Sequence, residues 1–153
     1  LASLAIATGL AQQTASVPGL AVLASVDTGF HIRVAFFATM LGLLAHSLLM
    51  FYLLGKGRAV KEAIAEHGLP DVYMPRVKTL RGPVFSRATY AMLLTMAAAI
   101  IGASVDVRVL PAWPHAILAI AAVALNLFAL WTESAALRGT SRIVDEVNAR
   151  LGA

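Results

Sequence analysis

The side chains with the widest chemical range in this sequence are histidines. His31, His46 and His115 lie in or at the edge of long apolar stretches, and an imidazole nitrogen can ligate haem iron. His31 opens one stretch and His115 opens another, so we expect their rings at one membrane level, as a candidate haem b site. His46 follows His31 by 15 residues, about 22 Å along a helix axis, and is a second candidate ligand, for haem or for a quinone.

Other catalytic chemistry is not indicated. The sequence contains 0 cysteines, which excludes disulfides, thiolate metal sites and iron–sulfur ligation. It also lacks a glycine-rich phosphate loop and the HExxH and GxSxG motifs. We therefore predict no catalytic residue, no metal site and no catalytic activity of the chain's own.

The composition indicates the environment in which the histidines lie. Hydrophobic residues make up 59% of the chain and charged residues 13%, with a mean hydropathy of +0.80, whereas soluble domains carry about 25% charged residues. So few charges cannot cover a water-soluble surface, and the apolar content excludes disorder. Lipid is expected to cover part of the protein.

Three stretches, 30–54, 88–105 and 114–137, can cross a hydrocarbon core, which takes about 20 apolar residues in a helix. Glycines and prolines flank them, as is usual at helix boundaries, and they lack the alternation of a membrane strand. We predict an all-α, polytopic integral membrane protein. Its domain of three transmembrane helices covers residues 30–137 and carries cytoplasmic helical extensions.

The distribution of Lys and Arg predicts the orientation. Seven of the 12 basic residues lie between Gly55 and Arg87 and three follow Leu137, while the N-terminal region and the link 104–113 hold one each. Cytoplasmic loops retain such an excess. We expect a multi-pass protein of the bacterial inner membrane with its N-terminus outside and its C-terminus in the cytoplasm. This bias accounts for the net charge of +4, and no nucleic-acid partner is expected because basic and aromatic residues are not interleaved.

Residues 1–29 form a distinct N-terminal segment, expected to be periplasmic or interfacial. Residues 1–10 are apolar, and positions 9–11 have the small-x-small form of a signal-peptidase site. The alternative is a hydrophobic helix. It would be only partial, because the polar residues Gln12 and Gln13 disfavour a full transmembrane span.

One side of the first apolar stretch is expected to pack against protein. Small residues and both of its histidines recur there at spacings of three and four, which places them on one side of a helix. Small side chains let helices approach closely in lipid. The predicted packing positions in the three stretches are Ala35, Ala38, Gly42, Thr95, Ala99 and Asn126.

A polar layer is expected within the membrane. His46, Thr95 and Asn126 lie at similar depths from the cytoplasmic ends of their stretches, about 12 to 17 Å. Polar side chains in lipid seek partners, so we predict a hydrogen-bonded packing trio, with a quinone or haem site as the alternative.

At the cytoplasmic rim, Arg87, Tyr90 and Glu133 are expected to gather. An Arg–Glu pair at the interface is more often a structural anchor than a proton route.

The polar regions are expected to add helices. The first helix should continue past Gly55 and stop at Gly68. Residues 69–83 are expected to be extended along the membrane surface. A new helix should begin at Thr140, and residues 138–153 form the predicted cytoplasmic amphipathic C-terminal helix.

The sequence offers several helix sides suited to packing against protein, and few side chains suited to catalysis or ligand binding. It therefore favours a noncatalytic accessory or structural subunit of a multi-subunit bacterial inner-membrane complex, of the respiratory or photosynthetic electron-transport kind. Its partners would be other membrane subunits of a hetero-oligomer, and lipid. The alternative is a haem b- or quinone-binding membrane anchor of an oxidoreductase, through His31, His115 and His46; a third possibility is a membrane receptor or assembly factor that recruits a soluble protein.

Overall fold

The computed structural model describes residues 28–152, which form three long helices. These are α1 (Thr28–His67), α2 (Tyr73–Asp106) and α3 (Ala112–Leu151). No strand occurs within this range, and each helix is long and apolar enough to cross a membrane. The predicted all-α fold with three candidate transmembrane helices is confirmed. Most of the predicted N-terminal segment, residues 1–27, lies outside the described residues.

Helix α1 continues beyond its apolar part, as predicted. Its 40 residues extend about 60 Å, roughly twice the thickness of a hydrocarbon core. The helix ends at His67, and Gly68 follows with φ 62°, a left-handed conformation that glycine adopts without a Cβ penalty. The backbone N–H of Leu69 then donates to the carbonyl of Ile64 at 3.2 Å and closes the last turn.

The expectation of an extended segment over residues 69–83 is wrong. Helix α2 begins at Tyr73 and contains Pro83, although a proline inside a helix costs about 3 kcal/mol. Tyr73, Val77 and Val84 are buried on one side of this helix. This packing offsets the intrinsic cost of the proline.

The expectation of a separate C-terminal helix over residues 138–153 is also wrong. Helix α3 passes through Gly139 and Thr140 without a break. A Cβ at Gly139 would lie 2.7 Å from Leu80 Cδ1. The glycine therefore makes room for a side chain of α2 and does not end the helix.

The described residues pack as two compact units. Unit 1 comprises residues 28–44 and 90–126, and unit 2 comprises residues 45–89 and 127–152. In unit 1, the side of α1 that carries His31 and Ala35 is buried or partly buried, whereas Phe36, Phe37 and Leu41 are exposed. The described chain buries only 6% of the most apolar window of α1, so lipid or other protein must cover the remainder.

In unit 2, the three helices meet in successive apolar layers. Leu53, Val84 and Ala136 form one layer. Farther along, five buried residues of all three helices form a second layer: Val60, Tyr73, Val77, Ile143 and Val147. The order of these contacts makes α2 antiparallel to α1 and α3, and the spacings of three and four resemble those of a coiled coil.

An ion pair joins α2 to α3 at the polar end of unit 2. The Arg76 guanidinium donates to Glu146 at 2.5 and 2.9 Å. These hydrogen bonds hold the pKa of the Glu146 carboxyl below its usual range. Both side chains are about half exposed, so the pair contributes little to stability.

Candidate functional site

A histidine and a glutamate are buried against each other in unit 2. His46 Nδ1 of α1 lies 2.6 Å from Glu133 Oε1 of α3, and each residue is only 2% exposed. One proton between these atoms satisfies both: either the imidazole N–H donates to a carboxylate, or a carboxyl O–H donates to the ring nitrogen. Ionisable side chains within apolar membrane segments are rare, are usually paired and often mark functional sites.

The local sequence of α3 explains how Glu133 reaches this position. Ala129, Glu133, Ala136 and Thr140 are all buried, and their spacings of four, three and four place them on one side of the helix. The two alanines leave space for α1 to approach. The carboxyl group therefore points to a neighbouring helix.

The preceding residue joins α3 to the other helix of unit 2. Arg87 Nη1 donates to Thr132 Oγ1 at 2.7 Å, and this hydroxyl donates to the carbonyl of Phe128 at 2.9 Å. The Arg87 guanidinium also lies 4.4 Å from the centre of the Phe128 ring, within the range of a cation–π interaction. Thr132 and Glu133 thus connect α3 to α2 and α1, respectively.

This arrangement corrects the expected cluster at the cytoplasmic rim. Arg87 contacts Thr132 and Phe128, whereas Glu133 contacts His46, so the expected Arg–Glu pair is not formed. Tyr90 is exposed.

Two members of the predicted polar layer are bonded to each other in unit 1. Asn126 Nδ2 donates to Thr95 Oγ1 at 2.8 Å and to the carbonyl of Ala122 at 2.6 Å. Thr95 Oγ1 in turn donates to the carbonyl of Ala91. The 2.6 Å contact of His46, the third residue of the predicted trio, is with Glu133 in unit 2.

The other two candidate cofactor ligands lie together in unit 1. The ring centroids of His31 and His115 are 6.1 Å apart, with an interplanar angle of 78°. His115 Nδ1 lies 3.0 Å from the carbonyl oxygen of Ala98, which can only accept, so this nitrogen carries the proton. A Cβ at Gly102 would lie 2.8 Å from His115 Cε1, so this glycine admits the ring.

The predicted packing positions differ in what they contact. Ala35, Ala38 and Gly42 are partly buried, but a Cβ built at Gly42 meets no atom within 4 Å. The expected close approach is therefore not made at Gly42 within the described chain. Ala99 is exposed, and its neighbour Ala98 is buried instead.

The polar side chains are satisfied by the protein itself. Within residues 28–152, no buried side-chain nitrogen or oxygen lacks a hydrogen-bond partner, and no group of three or more His, Asp or Glu side chains could hold a metal ion. Comparisons with protein-family models, curated proteins and solved structures find no match. The contacts His46–Glu133, Arg87–Thr132 and Asn126–Thr95 each join two helices through polar side chains.

Replacing either His46 or Glu133 should destabilise the protein, because the residue that remains stays buried and loses this contact. His46→Leu and Glu133→Leu should each lower the free energy of unfolding by about 1–3 kcal/mol, because each removes the 2.6 Å contact from the buried polar group that remains. The double variant should lose less than the sum, by about 1 kcal/mol or more. Reversible unfolding in mixed detergent–SDS micelles measures all three values.

The exposed Ser134 provides the control cycle. His46→Leu combined with Ser134→Ala should be additive within about 0.5 kcal/mol. Equal additivity in both cycles would show that His46 and Glu133 do not interact.

Proposed function

We propose that the chain is a noncatalytic, multi-pass subunit of a larger membrane assembly in the bacterial inner membrane. The observation that carries this proposal is the open space beside Gly42, on the partly buried small-residue side of α1. Gly42 lies there with no atom within 4 Å of its Cβ position, in the helix whose apolar window is least buried. Such a surface lets another helix approach closely in lipid.

The polar contacts support the same proposal. Arg87 with Thr132, His46 with Glu133 and Asn126 with Thr95 join helices of this chain. Groups used in this way hold the helices of this chain together, and we propose that the chemistry belongs to partner subunits. An electron-transport complex is the class of assembly that we propose.

The proposed orientation places the N-terminus outside and the C-terminus in the cytoplasm. It follows from the excess of Lys and Arg between Gly55 and Arg87. Arg108, in the turn after α2, is then external, and Lys61 is internal.

Single introduced cysteines test the orientation, because the native chain has 0 cysteines. An impermeant thiol reagent applied to intact cells should modify Arg108→Cys and spare Lys61→Cys until the cells are lysed. The cysteine-free parent is the control. Modification of Lys61→Cys alone in intact cells would reverse the orientation.

Enlarging Gly42 tests the proposed subunit role. Within the described chain a Cβ at this position meets no atom within 4 Å, so we expect Gly42→Leu to leave the stability of the isolated chain unchanged or higher. In the assembly it should overpack a partner helix, which typically costs about 1–3 kcal/mol, and lower the yield of intact complex several-fold. Native mass spectrometry of the detergent-solubilised complex gives the composition and the yield.

Gly82→Leu is the matched control, since Gly82 is also helical and also has no atom within 4 Å of its Cβ position. It should assemble normally. Recovery of the wild-type chain without partners, or full assembly of Gly42→Leu, would contradict the proposed role.

The second candidate function is a haem b- or quinone-binding anchor, favoured by the adjacency of His31 and His115. The hydrogen bond from His115 Nδ1 to a backbone carbonyl is the kind that orients ligating histidines. It leaves Nε2 of a neutral ring as the atom able to bind a metal.

Absorption spectra distinguish the two candidates. A haem-binding chain purified from membranes should show a Soret band that His31→Ala and His115→Ala abolish, while His67→Ala, outside the apolar stretches, retains it. A wild-type sample with no Soret band would remove haem ligation by this pair.

A further inference from the structure

An open groove lies between α1 and α2 in unit 2. Its volume is about 450 Å³. Helix α1 contributes Gly55, Arg58 and Lys61 to its walls, and helix α2 contributes Met74 and Arg81. The groove begins at the point where the apolar part of α1 gives way to polar residues.

The groove is positively charged. Arg58, Lys61 and Arg81 supply three cations, and Glu62 offsets one of them through its 2.8 Å contact with Arg58. Arg81 reaches across to α1 at Gly57, where a Cβ would lie 3.0 Å from its Nη1, and its guanidinium lies 5.8 Å from the centre of the Phe85 ring. A glycine at position 57 is what makes room for this arginine.

An exposed apolar strip leads into this basic groove. Phe51, Leu54, Arg58 and Lys61 follow one another at spacings of three, four and three, which places them on one side of α1. Phe51 is 71% exposed and Leu54 38%. A molecule that is apolar at one end and anionic at the other matches both parts of this surface, whereas a soluble anion would use only the basic part.

We propose that this groove binds an anionic phospholipid, whose phosphate lies between Lys61 and Arg81 and whose acyl chain lies along Phe51 and Leu54. Basic pockets between transmembrane helices attract such headgroups. Coulombic attraction supplies the affinity, and the neighbouring apolar strip selects a lipid over free phosphate.

Lipid retention by the purified, detergent-solubilised protein tests this proposal. The protein is titrated with phosphatidylglycerol or with phosphatidylcholine, and bound copies are counted by native mass spectrometry. Phosphatidylglycerol should be retained in preference. Lys61→Gln/Arg81→Gln should weaken its binding about 30-fold, and Lys61→Gln alone about 5-fold, because each cation near a membrane surface contributes about 1 kcal/mol.

The matched control removes the same charge from the same end of the molecule. Arg138 and Arg142 are exposed on α3 and do not line the groove, so Arg138→Gln/Arg142→Gln should retain phosphatidylglycerol. An equal loss in both double variants would mean that the lipid responds to total charge, and would overturn the proposed site.

Filling the groove provides a test that leaves every charge in place. A Cβ at Gly55 meets no atom within 4 Å, so Gly55→Leu should project into the groove without a collision and should abolish phosphatidylglycerol retention. Millimolar inorganic phosphate should not displace the lipid. Undiminished binding by Gly55→Leu would overturn the proposal, and displacement by phosphate alone would show a free-anion site instead.

Discussion

The pairing of polar side chains within apolar surroundings is the constraint on which unit 2 depends. Lipid offers no hydrogen-bond partner, so a polar group held there must be satisfied by the protein. Glu133 meets this requirement through His46, and its neighbour Thr132 accepts a hydrogen bond from Arg87. Two consecutive residues of α3 therefore fix its alignment with both other helices of the unit. A shift of one helical turn, about 5.4 Å, would separate both pairs.

The same side of each helix continues the packing beyond these pairs. Leu53, Val84 and Ala136 form the next layer, after which Leu80 of α2 lies against Gly139 of α3. Spacings of three and four along each helix preserve the contact as in a coiled coil. These layers extend from the apolar part of the helices into the polar part. Their contacts stabilise the helical conformation there, so the helices continue without a break.

Composition and the lengths of the apolar stretches were sufficient to predict three long helices that are apolar enough to cross a membrane. The extension of α1 to His67 was also predictable, because helix-forming residues continue up to Gly68. The breaks expected next to Pro83 and Gly139 do not occur. Such residues end a helix only when no tertiary contact compensates. The contacts of Leu80 and Val84 that compensate here are not visible in the sequence of one helix alone. The pairing of Glu133 with His46 was not predicted, because depths measured from the ends of the apolar stretches placed His46 level with Thr95 and Asn126. The spacing of Ala129, Glu133, Ala136 and Thr140, which places Glu133 among small residues on one side of α3, is the signal that would have indicated a packing partner for Glu133.

The contact between His46 and Glu133 can be observed directly in protein labelled with ¹⁵N and ¹³C and reconstituted in lipid bilayers. Solid-state NMR should show a through-space cross peak between His46 Nδ1 and the side-chain carboxyl carbon of Glu133, as expected for the 2.6 Å separation of the nitrogen and the carboxyl oxygen. The contact between Asn126 Nδ2 and the Thr95 side chain, at 2.8 Å, serves as the internal reference. Detection of the reference peak without the His46–Glu133 peak would contradict the account.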